Sequence, residues 1–200
     1  MAEEEIDNPD RAAYADANRD AIYRMITGAR PDDLAEQVRI LGGTRAAAEI
    51  AGVTQRTVQR WITKTGAQRI QHPGAGARLV GAAAAETRGT REGRQRIADT
   101  RRVTMMRTQG AKMRGSAKSG IVSSGGSKAY VKMRTWNHAV GSGVMGTTVD
   151  AFIQDGEEAA YTAFNTAFGD EYGDGGAMFD EWMFTDMGGL NFSSDTRPGE

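Results

Sequence analysis

No cysteine occurs among the 200 residues, so neither a disulfide framework nor a thiolate metal site is available. The only two histidines, His72 and His138, lie far apart without ligand-like companions, which favours surface or core roles over metal binding. No apolar run approaches the roughly 20 residues that span a bilayer. The acidic opening MAEEEID has neither the basic nor the apolar region of a secretory signal, so a cytoplasmic, nucleoid-associated location is expected. Familiar catalytic patterns are missing too: no phosphate-cradling G-x-x-x-x-G-K-[ST], no dinucleotide fingerprint after a strand, no paired-histidine motif. Asp180, Glu181 and Asp186 could suggest a metal-dependent nuclease, but acidic residues alternating with aromatics fit a solvent-facing edge strand better. The modest apolar content and 26 glycines favour two small modules over one large core.

What the chain does have is charge, sorted by sign. The formal net charge is only −1. Residues 1–37 carry 4 Lys+Arg against 10 Asp+Glu, residues 38–134 carry 20 against 4, and residues 135–200 carry 1 against 12. A solubilising surface explains high charge but not a single sign held for nearly a hundred residues. The central block reads as a phosphate-binding footprint. The acidic ends allow three readings: solvating tails, segments folded back on the basic block, or docking sites for a basic partner. Aromatic residues in the C-terminal part argue against a simple tail.

Within the basic block, TRAAAEIAGVTQRTVQRWI from Thr44 to Ile62 has the pattern of a helix-turn-helix. Thr44 is expected to cap a first helix over Arg45–Ile50, Gly52 to make the turn, and Thr54 to cap a second helix from Gln55. Ala48, Val53, Val58 and Ile62 fall at inward positions. Gln55, Arg56, Gln59 and Arg60 then share the outer face, where amides and guanidiniums can bond to base edges in the major groove. Thr44, Thr54 and Thr57 belong to the same expected DNA contact, as do Arg94, Arg101 and Arg102 further along. A plain helical hairpin with a solvated polar face is the competing reading.

Four blocks are expected. Residues 1–30 form an acidic helical arm, helical from about Pro9 to Ile26, with a thin apolar stripe suited to docking a partner or a homodimer. Residues 31–76 form the helix-turn-helix domain; Pro31, Asp32 and Asp33 start its leading helix and Gly42-Gly43 stop it. Residues 77–109 form an arginine-rich helical segment, more suited to lying on a polyanion than to burial, and prone to breaks at its glycines. Residues 110–200 form a small α+β module. In it, Gly120–Val122 and Ala129–Trp136 read as strands, Gly146 to about Phe168 as a helix kinked at Gly156, and Met178–Phe184 and Leu190–Phe192 as closing strands. The fold class is therefore α+β: a helical helix-turn-helix part followed by a mixed module with a hairpin, a helix and a closing strand.

The helix-turn-helix, the arginine-rich segment and the glycine-hydroxyl segment before an acidic-aromatic module together resemble the telomere-associated terminal proteins of actinobacterial linear replicons, best known from Streptomyces. The resemblance spans roughly residues 34–192. It implies a protein that binds a replicon end and primes synthesis through a hydroxyl joined to the DNA 5′ end. Its partners would be double-stranded or telomeric single-stranded DNA, a DNA polymerase and a telomere-binding protein. It would not be a turnover enzyme and would hold no cofactor of its own, the divalent metal coming from the polymerase. The family's linked threonine follows a small-small-glycine run; here Ser123-Ser124-Gly125-Gly126 precedes Ser127, which becomes the candidate linking hydroxyl. This chain departs from the family in having Ser for Thr and then Lys128. Tyr130 and neighbouring hydroxyls are alternatives, and a simple hairpin turn is the plainer reading of Gly125-Gly126-Ser127. Two other functions fit the same residues: a transcription regulator with a dimerising or ligand-sensing C-terminal module, and a replication or partition accessory protein without covalent attachment.

Overall fold

A computed structural model describes residues 2–63, 74–123, 125–173 and 181–194. The fold is α+β, with ten helices and a four-stranded antiparallel sheet among the described residues. In chain order these are β1 (Glu4–Asp7), α1 (Arg11–Ala17), α2 (Arg19–Thr27), α3 (Leu34–Ile40), α4 (Thr44–Ala51), α5 (Gln55–Thr63), α6 (Ala75–Gly89), α7 (Arg91–Ala98) and α8 (Arg101–Gln109). There follow β2 (Ala111–Val122), β3 (Lys128–Val140), α9 (Ser142–Asp155), α10 (Glu157–Tyr172) and β4 (Glu181–Ser193). The chain divides into two compact units: Ala29–Ile97, and Met1–Gly28 together with Ala98–Glu200.

In the Ala29–Ile97 unit, Asp33 rather than Pro31 starts α3, its carboxylate accepting the N–H groups of Ala35 at 2.9 Å and Glu36 at 3.4 Å. Val38 and the expected inward residues Ala48 and Val58 are buried together with Ala47, while Val53 and Ile62, also expected inward, pack half-buried against them. Their fifth buried partner is Val80 of α6. The start of the arginine-rich segment thus packs as a fourth helix instead of lying free for a polyanion. The reason is local: Ala77, Val80 and Ala84 recur on one face and are buried, while Arg78 and Leu79 point outward. Small residues on that face allow close approach; a Cβ on Gly76 would sit 3.0 Å from Trp61 Cη2.

The other unit is built on the sheet, ordered β1-β3-β2-β4. The β2–β3 hairpin forms as expected but is much longer than its two sequence signals, running in register from Ala111 opposite Val140 to Val122 opposite Ala129. Against the sheet packs α10, and α9 packs on α10 and α8; the two helices are separated at Gly156 where one kinked helix was expected. Trp136 meets Phe168 at 5.6 Å and Trp182 at 5.9 Å between ring centroids, and Phe164 stacks on Phe168 at 5.6 Å. Burying side chains of this size contributes about 1.5–3 kcal/mol each.

Three expectations change in this unit. The N-terminal residues do not make a separate arm: Ile22, Tyr23, Met25 and Ile26 are fully buried and α2 packs on α10 and β4. The acidic start supplies the edge strand β1. The closing strands are a single strand, β4, whose Trp182, Met183 and Phe184 are buried instead of facing solvent; Met178 and Asp180 lie outside the described residues. Register shifts along β4 between its pairings with Ser116, Lys118 and Ser119 free backbone groups there, and two asparagines satisfy them. Asn18 accepts the Met187 N–H at 2.7 Å and donates to the Thr185 carbonyl at 3.1 Å. Asn165 accepts the Phe184 N–H at 2.8 Å.

Candidate nucleic-acid interface

The turn between α4 and α5 is set by Gly52, in the left-handed region at φ +63°, and closed by the Val53 N–H donating to the Ala48 carbonyl at 3.0 Å. Thr54 then caps α5 as expected, its hydroxyl accepting the Thr57 N–H at 3.3 Å and lying 3.0 Å from the Thr57 hydroxyl. Thr44 does not cap α4. The helix begins at Thr44 itself, with Gly43 preceding it, and the Thr44 hydroxyl instead accepts the side-chain amide of Gln55 at 2.8 Å.

On α5, Val58 is buried and Trp61 and Ile62 are half-buried beside it, one apolar stripe of helical spacing. That anchors the helix so that Gln55, Arg56, Gln59 and Arg60 are all exposed on the remaining surface. Arg56 and Arg60 make no ion pair among the described residues, whereas Arg45 on α4 is paired to Glu49 at 3.3 Å. The surrounding unit, Ala29–Ile97, carries 12 Lys+Arg against 6 Asp+Glu, while the other carries 13 against 20. Uncommitted guanidiniums on a basic unit are the chemistry that phosphate and guanine edges recruit.

The three downstream arginines have different surroundings. Arg94, half-buried in the same unit, donates to the Gly89 carbonyl at 2.8 Å and braces the α6–α7 corner. Arg101 is exposed at the start of α8, in the other unit. Arg102 is turned inward. It donates to the carbonyls of Met25 at 3.2 Å, Ile26 at 3.3 Å and Phe192 at 2.6 Å, tying the end of α2 to β4. Burial holds its guanidinium below the usual arginine range. Its role is structural, because three converging carbonyls bind a fixed fork of donors better than solvent would.

Ser127 sits at the tip of the β2–β3 hairpin and is exposed. Gly125 and Gly126, at φ +90° and +73°, make the left-handed turn, and the Gly126 N–H donates to the Ser123 carbonyl at 2.8 Å. Ser124 lies outside the described residues. The Ser127 carbonyl accepts the Asn8 N–H at 2.8 Å, so β1 holds the turn's backbone; its hydroxyl has no hydrogen bond among the described residues. Next to it, the Lys128 ammonium lies 2.8 Å from Glu5 and 3.8 Å from Asp7. Lys128 holds the Glu5 carboxyl below its usual range, and Glu5, then Asp7, raises Lys128. The alternative hydroxyl, Tyr130, is 37% exposed. The turn therefore offers a primary hydroxyl on a backbone fixed at both sides.

No helix of the described residues is long and apolar enough to cross a membrane. Among the same residues no group of histidine or carboxylate side chains could hold a metal ion. His138 is half-buried among Phe168 and Tyr172, and His72 is outside the described residues. Compared with known proteins, the chain matches no family model, and neither a curated protein nor a solved structure shows significant similarity to it.

Proposed function

We propose that this protein binds double-stranded DNA through α5 and serves as a terminal protein, capping a linear replicon end and priming synthesis from Ser127. The observation that carries the DNA-binding part is the exposure of Gln55, Arg56, Gln59 and Arg60 on one anchored helix of a basic unit. The priming part is supported by the free, exposed hydroxyl of Ser127 on a glycine turn, which suits entry into a narrow polymerase channel. A serine hydroxyl is a weak nucleophile until its proton is taken, and the partner polymerase's metal ions would do this as the oxygen attacks the α-phosphate and pyrophosphate leaves. The protein would be consumed as a primer, one copy per DNA end.

Two measurements test the two parts separately. Arg56→Ala with Arg60→Ala should weaken duplex binding by roughly 1–3 kcal/mol per lost base contact; unchanged titrations would remove α5 as the recognition helix. Native DNA ends should resist 5′ exonuclease until treated with protease; ends digested without protease would refute covalent capping.

A ligand-sensing regulator is favoured by one observation, a groove of about 230 Å³ lined by Pro31, Asp32, Gln37, Gly81 and Arg88 in the DNA-binding unit. A small molecule there would bridge α3 and α6 and so reach the helix-turn-helix core. Release of duplex DNA by a metabolite extract, lost on substituting Gly81→Leu, would move the reading to regulation.

A further inference from the structure

The β2, β3 and β4 strands have one face packed under the aromatic side chains of α10. On their opposite face, the described residues at the end away from the Ser127 turn are exposed or half-exposed. Two rows cross it: Lys112, Ala139 and Ser193, then Arg114, Asn137 and Asn191. Five of these six are exposed and Lys112 is half-exposed. The next row adds the exposed hydroxyls of Ser116 and Thr135. No carboxylate stands in any of the three rows, although the unit as a whole has seven more acidic than basic residues. The first, Asp186, comes one row later, opposite Lys118, and Lys118 is itself paired with Glu4.

Opposite charges set across antiparallel strands stabilise a solvated face, and like charges directly opposite destabilise it. Here two cations two residues apart have no opposite charge across from them among the described residues. Arg114 has no ion pair among the described residues, and the Lys112 ammonium leans across the sheet to 3.5 Å from the Asn137 carbonyl. An anionic ligand would complete this face.

We propose that this face binds single-stranded DNA along its phosphodiester backbone, with Lys112 and Arg114 on phosphates and Asn137 and Asn191 within reach of base edges. A single strand fits better than a duplex. Three strands are about 10 Å across, less than the ~12 Å width of the major groove, and the two cations lie two residues apart on one strand. Such a surface meets one backbone at a time. Met133, 40% exposed in the row beyond Ser116, supplies an apolar contact for a base. This binding surface goes beyond the recognition-helix reading and does not depend on it.

The test uses the full chain and dye-labelled oligothymidylate of about 20 nucleotides, longer than the ~4–16 that a comparable surface covers. Lys112→Ala with Arg114→Ala should lower single-strand affinity about tenfold. It should also flatten the log–log salt slope by about 1.4, the release expected from two phosphates at about 0.7 each. The unfolding transition should be unchanged. Asn137→Asp with Asn191→Asp should weaken binding by adding charge without removing either cation. Arg56→Ala with Arg60→Ala should leave single-strand affinity within about twofold while duplex affinity falls. Failure of oligothymidylate to bind, indifference to the Lys112 and Arg114 changes, or loss in the α5 variant instead would each overturn the proposal. So would equal competition by polyglutamate, which would make this an acidic-peptide surface.

Discussion

Gln55 donates its side-chain amide to the hydroxyl of Thr44 at 2.8 Å, joining the first residue of the second helix in the helix-turn-helix to the first residue of the one before it. The bond uses the Gln55 amide nitrogen, leaves its side-chain oxygen available as an acceptor, and limits the side chain's freedom before any ligand binds. Thr44→Val should therefore lower duplex affinity through Gln55, while changing stability by no more than about 1 kcal/mol for one exposed hydrogen bond. Combined with Gln55→Ala the losses should be less than additive. Fully additive losses in DNA titrations would mean that the two side chains act separately.

Arg102 separates packing from DNA contact. Arg102→Ala should destabilise the protein by about 3 kcal/mol, since carbonyls of Met25, Ile26 and Phe192 lose a charged donor in a half-dry site. Arg102→Lys should rescue little, because one ammonium cannot span three acceptors with a fork's geometry. Where the protein remains folded, duplex affinity should match wild type. Denaturant melts read the first effect and anisotropy the second; intact stability with weakened binding would return Arg102 to the DNA surface.

Ser127→Ala should abolish transfer of labelled nucleotide to the protein by the replicon's polymerase and leave DNA binding nearly intact. Loss of an exposed hydroxyl with no hydrogen bond should shift stability by less than about 0.5 kcal/mol. Ser127→Thr should retain labelling. Label that persists in Ser127→Ala, or maps to Tyr130, would assign the linkage elsewhere.

The β1 edge strand should respond to acid. Glu5 titrates below its ordinary 4.5 because of Lys128, so its contribution is complete above about that pH and is lost as pH falls through the depressed native value. Lys128 is raised above its ordinary 10.5, so its share is present below that value and lost as pH rises through the raised one. In NMR, β1–β3 contacts such as Ile6 to Ala129 should weaken in acid, together with the Asn8–Ser127 hydrogen bond. In Glu5→Gln they should be weaker already at neutral pH. Contacts indifferent to both changes would show that backbone pairing alone holds β1.

The parts of the fold whose signals act over a few residues were legible in the chain alone. A threonine three positions before the N–H that it caps, a glycine where the chain must turn left-handed, and an apolar stripe of period 3.6 located α5 and its exposed Gln55, Arg56, Gln59 and Arg60. Alternation and a double glycine located the β2–β3 hairpin in the same way, and with it the exposed position of Ser127. Features that depend on distant partners emerged only in the folded chain. Glu4–Asp7 is too short and acidic to read as a strand until β3 offers it an edge. Arg101 and Arg102 are neighbours of identical chemistry, yet Arg102 is half-buried on the carbonyls of Met25, Ile26 and Phe192 while Arg101 is exposed. Val80 joins the helix-turn-helix core because its alanine-rich face admits close packing, a property of the pair of surfaces. In β4, Asn191 and Ser193 stand level with Arg114 and Lys112 beyond the register shifts, and near those shifts Thr185 and Met187 bond to Asn18, more than 160 residues away, a partner that no local signal could specify.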